Sequence, residues 1–329
     1  MAILWCGGED IDFSLGAAIT PITTASHFRA GYPRCTVRQD TSGSISKSSI
    51  FAGGAITSAW LSARMITFNV GLNLRMIGLG LSGTNKCLLI GTDSANAAKL
   101  ALSKYDGTTL TQLAAELGTS LAPGVLQRLE VQVVNYGATA TVNVYLDGAL
   151  IITFTGNVTV SGMTNFDSVF VMRSNPSGSM FAEFSEIMVA SEDLRAFPGL
   201  VTLALTGDGT TTDWTGIFST INGTTISDAT PNYTDASDQL QEFDVTNLPS
   251  GTFKVRAIKI AARAAKAAGT PTQIALGYNE AGTVTVGGDI ALTTAYATYE
   301  QLDLVNPRTS ADWDQSILNA LQIAAKSKA

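Results

Sequence analysis

Charge is scarce in this sequence. Only 14% of its 329 residues are Asp, Glu, Lys or Arg, against roughly 25% in an ordinary soluble domain. Gly, Thr, Ser and Ala take their place, giving a polar but uncharged surface of short side chains suited to packing against copies of itself. What charge there is sums to −7. The densest cationic stretch, "KVRAIKIAARAAK", spreads five charges over 13 residues. Nucleic-acid binding needs clustered Lys and Arg against phosphates, so the balance argues against DNA or RNA as a partner.

Cysteine and histidine are nearly absent. Cys6, Cys35 and Cys87 are odd in number, far apart and without a C-x-x-C, so neither a zinc site nor a disulfide framework is indicated. They read as reduced and buried, as in a protein made in a cytoplasm. His27 is the only histidine. Its "SHF" context shows neither nucleophile nor orienter, so a catalytic triad is not indicated.

Long apolar runs are missing too. "ITFNVGLNLRMIGLGLSG" is broken by Asn69, Asn73 and Arg75, and no segment reads as a membrane span. The start, "MAILWCGGEDIDF", has no basic stretch followed by an apolar one, so no secretory signal is expected there. "GLGLSGTNK" lacks the Gly-Lys-Ser/Thr ending and following helix of a phosphate loop.

What is abundant is short β-strand signal. In "LQRLEVQVVNYGATATVNVYLDGALIITFTG", Leu129, Val131 and Val133 point one way, and Glu130 and Gln132 the other. Val142, Val144 and Leu146 repeat the scheme, and Asp147-Gly148 suits the positive-φ positions of a tight hairpin turn. Strand signals recur without βαβ alternation, which predicts an all-β protein of two antiparallel β-sandwich domains. "EDLRAFPGL" interrupts the pattern, dividing the chain into 1–195 and a smaller 196–329.

In the second half, Phe253, Val255, Ala257, Ile258 and Ile260 read as a strand leaving the Pro249–Gly251 turn and running to about Ala262. Helix and strand both suit 262–268. "WDQSILNALQIAAKS" has helical spacing at Trp313, Ile317 and Leu321. A short turn and a closing strand over Ile317–Ala324 is the preferred reading of 313–325.

The opening "ILWCGGEDIDF", "SKYDGTTLTQL", "LQRLEVQVV", "TVNVYLDGALIITFTG" and "FAEFSEIMVAS" follow one another in an order that resembles the concanavalin A-like (laminin G-like) jelly rolls of tailed-phage proteins. "TGDGTTTDW", "PNYTDASDQLQEFDVTNLPSG" and "YATYEQLDLVNPRTSADWDQSILNALQIAAKS" resemble a C-terminal module recurrent in phage virion proteins. The resemblance implies a structural component exposed on a phage particle, such as a head fibre, decoration, spike or tail-tip protein. Such a protein is made in the host cytoplasm, works through contacts with other virion proteins and forms homo-oligomers, with the trimers of many phage fibres as one form. The alternative is a lectin-like protein that uses the jelly roll's concave face to recognise a host glycan.

No catalytic residue or cofactor is indicated, and the chain is expected not to be an enzyme. Glycoside hydrolysis needs two carboxyl groups facing one cleft, roughly 5 to 9.5 Å apart. Asp10 and Asp12 share a strand face but Glu9 does not, and no third acid follows. Glu183 and Glu186 fall on opposite faces. All are expected to be solvated edge carboxylates. Asp208 and Asp213 are hard oxygen donors beside a Gly-rich turn and form a calcium candidate, set against an ordinary Asx turn. Trp5 is expected in the core. One or two of Trp5, Trp60, Trp214 and Trp313 could form a sugar-stacking platform, and Tyr233, Tyr296 and Tyr299 are interface candidates.

Overall fold

The computed structural model describes residues 3–7, 13–14, 37–38, 45–48, 50–52, 54–68, 70–172, 181–195, 199–221, 228–252, 254–267, 269 and 271–329. Glu9, Asp10, Asp12, His27 and Cys35 lie outside them. The chain divides into two compact units, Met1–Leu200 and Val201–Ala329. Every pairing between strands is antiparallel, as an all-β sandwich protein requires.

Unit 1 contains fourteen strands among the described residues. They begin with β1 (Ile3–Gly7), β2 (Phe13–Ser14), β3 (Val37–Arg38), β4 (Ile45–Ser48) and β5 (Ala59–Phe68). β6 (Arg75–Gly80), β7 (Cys87–Thr92), β8 (Leu100–Tyr105), β9 (Leu110–Ala115) and β10 (Gln127–Val134) follow. The set ends with β11 (Ala140–Leu146), β12 (Ala149–Gly156), β13 (Ser168–Met172) and β14 (Phe181–Ala190). One sheet runs β1-β14-β5-β10-β11-β12 with β3 added beside β14, and the other runs β2-β4-β13-β6-β7-β8-β9.

The two sheets stack because their alternating strands must bury one apolar face each. Leu61, Ala63 and Met65 of β5, Leu129, Val131 and Val133 of β10, and Val142 and Val144 of β11 supply one side of a continuous core. Leu79, Leu88, Ile90, Leu102, Val169 and Val171 supply the other. Trp5 belongs to the same core, at 2% exposure. The alternation read in β10 and β11 is therefore the alternation found. The hairpin turn between β11 and β12 has φ of 51° at Asp147 and 82° at Gly148, the left-handed pair that a two-residue turn needs to match strand twist.

β14 departs from simple alternation. Its pairing with β5 slips between Ser185 and Met188, and Glu186 has φ of 48°. Phe184 and Ile187 both belong to the core although three residues apart, because the bulge inserts one extra residue and re-phases the strand. Glu183 and Glu186 are thus on the same, outer face, not on opposite faces. Nor is Glu183 a solvated edge carboxylate, being 2% exposed.

Unit 2 is smaller. β15 (Leu205–Thr212), β16 (Leu240–Val245), β22 (Gln322–Lys328), β18 (Gln273–Glu280) and β19 (Thr283–Val286) form one sheet in that order, and β20 (Ile290–Ala291) also pairs with β18. β17 (Ile258–Ala264) and β21 (Ala297–Asp303) form a two-stranded ribbon. α1 (Phe218–Ile221) and α2 (Gln315–Leu318) are single turns. Ile260, Ile274, Leu276, Tyr278, Trp313, Leu318 and Leu321 make the core. There Trp313 meets Tyr278 edge-on at 5.2 Å, and Trp313 Nε1 and Tyr278 Oη both donate to Asp303.

Three expectations are corrected in this unit. The strand of 258–264 begins at Ile258, while 254–257 carry no ladder. The closing strand is 322–328 and not 317–324, because Asp314 caps a helical turn by accepting from Ser316 N. "TGDGTTT" is strand rather than turn. Its glycines let β15 lie close over β16: a Cβ at Gly209 would stand 2.6 Å from Glu242 Cβ, and Thr211 N–H donates to Glu242 Oε2 at 2.7 Å.

Close approach also fixes Gly78, where a Cβ would stand 2.2 Å from the Leu88 carbonyl oxygen and 2.7 Å from Leu89 Cα. Gly78→Ala is expected to cost about 1–3 kcal/mol as β6 and β7 part, read from the denaturant midpoint. Gly83→Ala, which meets nothing within 4 Å, serves as the control, and equal midpoints for the two variants would contradict the packing described.

Candidate functional site

The outer face of the β1–β12 sheet is polar yet buried, an uncommon combination. β10 places Arg128, Glu130 and Gln132 there because the intervening Leu129, Val131 and Val133 are held in the core. Register sets their neighbours. Glu130 lies opposite Ser62 of β5 and Tyr145 of β11, and Gln132 lies opposite Trp60 and Asn143. Trp60 and Tyr145 therefore meet diagonally, stacked at 5.8 Å with planes 23° apart. Asn143 donates its amide to Gln132 Oε1 at 2.9 Å.

The segment that follows β14 closes over this face. Arg195 sets its guanidinium 4.6 Å from the Tyr145 ring centroid and 5.2 Å from that of Trp60. It is held there by Asp193, which accepts from Arg195 Nε through both oxygens at 3.0 Å; this pairing holds the Asp193 carboxyl below its usual range. Arg128 donates through Nη2 to the Leu194 carbonyl at 2.9 Å and through Nε to Ser62 Oγ at 3.2 Å. The same Nε lies 3.1 Å from Glu130 Oε1. On the far side of Ser62, Arg64 pairs with Glu186 at 2.9 Å.

Glu130 is the outlying group. It is 2% exposed, and its Oε2 is buried without a hydrogen-bond partner. Burial pushes the carboxyl up; Arg128 and Arg195 pull against this, and Asp193 and Asp147 add to the rise. Trp60 and Tyr145 are themselves buried at 6% and 9%, whereas the Arg195 side chain above them is 41% exposed. An aromatic pair, two guanidinium groups, a carboxyl and a paired amide are thus gathered on one sheet face. Such a set can stack on a ring's C–H face and hydrogen-bond to hydroxyls or to a carboxylate.

Sequence reasoning placed Trp60 among the stacking candidates and turned Glu130 away from the core, but it did not single out Arg128, Glu130 or Arg195. Their assembly depends on the return of residues 193–195 across the sheet, about sixty positions after β10 ends. The outward Arg-x-Glu of β10 was the available local signal.

The other proposed site residues are dispersed. Asp208 Oδ1 accepts from Phe218 N at 2.7 Å and Asp213 Oδ2 from Leu240 N at 3.0 Å. Among the described residues, no three His, Cys, Asp or Glu side chains gather as a metal site. Tyr233 is 59% exposed, while Tyr296 lies under the Arg263 guanidinium and Tyr299 Oη accepts from Thr293 N. On the outer face of the second sheet, Cys87, Leu89, Tyr105, Phe170 and Met172 form a minor buried cluster.

No protein-family model matches the chain, and no curated protein matches its sequence. Solved structures do. They include a β-glucanase of Bacillus licheniformis, with a TM-score of 0.38 and 11% identity over 58% of this chain and 99% of the glucanase. A glycosidic hydrolase gives 0.35 and 11%, over 48% and 78%. An alginate lyase gives 0.34 and 9%, over 47% and 80%. At such identities the likeness extends to the jelly-roll fold alone. These neighbours include hydrolases and a lyase, and the expectation of a chain that is not an enzyme is withdrawn.

Burial pushes the Cys87 thiol up to about 12, against the partial pull of Arg75 and Lys47. The thiolate is the reactive form. Cys87 is therefore expected to stay unmodified by iodoacetamide at pH 8.5 in the folded protein and to react on denaturation, as read by peptide mass spectrometry. Rapid native labelling would show that this outer face is open.

Proposed function

We propose that the chain recognises a carbohydrate through the outer face of the β1–β12 sheet. Trp60 and Tyr145 form the stacking surface, and Arg128, Glu130 and the Gln132–Asn143 amide pair are the groups that read hydroxyls. One observation carries this reading: an exposed guanidinium is seated over a stacked aromatic pair, in the place a ligand would take. The reading takes up the lectin-like alternative drawn from sequence and assigns it to the outer face of the sheet that holds β10. The resemblance of the sequence features supports placing this recognition on the surface of a phage particle and directing it at a host glycan. It also supports contacts with other virion proteins and self-association, for which the exposed Tyr233 is a contact residue.

The test is a glycan array probed with the whole chain, with and without calcium. Reproducible binding to a restricted set of polysaccharides is expected. Trp60→Leu should weaken it by about tenfold, the order of one aromatic stacking contact, with the β-sheet circular dichroism signal unchanged. An array without hits, or affinity indifferent to Trp60, contradicts the reading.

A further inference from the structure

We propose that Asp193, Leu194 and Arg195 form a strap that covers this face and opens when Glu130 gives up its proton. The proposal deepens the carbohydrate reading, and rests on it only for what the opened face would bind.

The strap is held by contacts to β10 and to the aromatic pair. Arg128 Nη2 grips the Leu194 carbonyl at 2.9 Å, Leu194 is fully buried, and Arg195 covers Trp60 and Tyr145. Glu130 lies beneath at 2% exposure, with one oxygen 3.1 Å from Arg128 Nε and the other without a partner. A buried carboxyl oxygen without a hydrogen-bond partner costs much more free energy while the group is charged than when it is neutral. Two events lower that cost. Either Glu130 takes a proton, or the strap lifts and water reaches it.

The charged and titratable groups around Glu130 set the balance. Arg128 shares its strand. β5 contributes Arg64, already paired with Glu186 of β14. β11 contributes Tyr145, and its turn contributes Asp147, whose Oδ1 accepts from Arg128 N. The strap contributes Asp193 and Arg195, committed to each other, with Glu192 next in sequence.

The direction follows from linkage. The Glu130 carboxyl is raised under the closed strap and has its ordinary value in water, so the closed form binds the proton more tightly. Closure is therefore fully favoured at low pH. It is lost as pH rises through the closed-form value, with a limiting slope of tenfold per pH unit for one proton. Opening uncovers the Trp60–Tyr145 stack, so access to the face increases on the alkaline side.

Hydrogen–deuterium exchange of the whole chain between pH 5 and 9, followed on the peptide carrying Ser191–Arg195 and corrected for intrinsic exchange, tests this without any glycan. Protection of that peptide is expected to fall as pH rises through the closed-form value in the native protein, while peptides from β7 and β8 hold theirs. Glu130→Gln, which keeps shape and removes charge, should hold strap protection constant. A flat native profile, or an equal fall in Glu130→Gln, overturns the proposal. Should the variant not fold, the native profile decides alone. Neither arm contains a ligand, so a strap that titrates on a protein binding no glycan would sink only the carbohydrate reading. A glycan binder with an indifferent strap would sink only this one.

Discussion

The register of β10 between β5 and β11 is the constraint on which the rest of unit 1 depends. Leu129, Val131 and Val133 can reach the dry space between the sheets only in one phase. Fully burying a side chain of that size stabilises by roughly 1.5–3 kcal/mol, so a one-residue slip would forfeit several such contributions at once. The same phase forces Arg128, Glu130 and Gln132 to the opposite face. Their gathering beside Trp60, Ser62 and Tyr145 is a by-product of apolar packing, and the core supplies the free energy that holds polar groups in an otherwise unfavourable place.

That face shows how a few polar contacts settle a larger electrostatic problem. Arg128 touches Ser62, Glu130 and the Leu194 carbonyl, and so ties one strand to its neighbour and to a segment distant in sequence. Unit 2 solves a related problem differently. Glu242 is fully buried, but Asn279 Nδ2 and Thr211 N each donate to one of its oxygens, and both lone-pair sets are engaged. The contrast between a satisfied Glu242 and a half-satisfied Glu130 separates a structural carboxylate from one able to change state.

The parts of the fold that depend on neighbouring residues were legible in the sequence. Alternation in β10 and β11 and the Asp147–Gly148 turn are encoded within a few positions, and they appear as read. The bulge at Glu186 was not legible, because one extra residue in a strand leaves no mark in composition, and it reversed the relative facing of Glu183 and Glu186. α2 was missed in favour of a turn, since a four-residue helix set by the Asp314 cap has no room for periodicity. "TGDGTTT" looked like a loop because Gly and Thr populate turns; here the glycines serve close contact with Glu242. The candidate site was the least legible feature, since it is made by a return of the chain that no local pattern announces.

In the β1–β12 sheet, β1 pairs directly with β14, Ile3 lying opposite Ala190. Adjacent antiparallel strands are about 4.8 Å apart, so the first and last strands of this sandwich are side-by-side neighbours. A body whose two ends meet in this way can be spliced into, or exchanged within, a longer polypeptide through one narrow doorway, with little disturbance to whatever flanks it. Recombination between genes could thus shuffle the sandwich as a cassette while leaving its interior untouched.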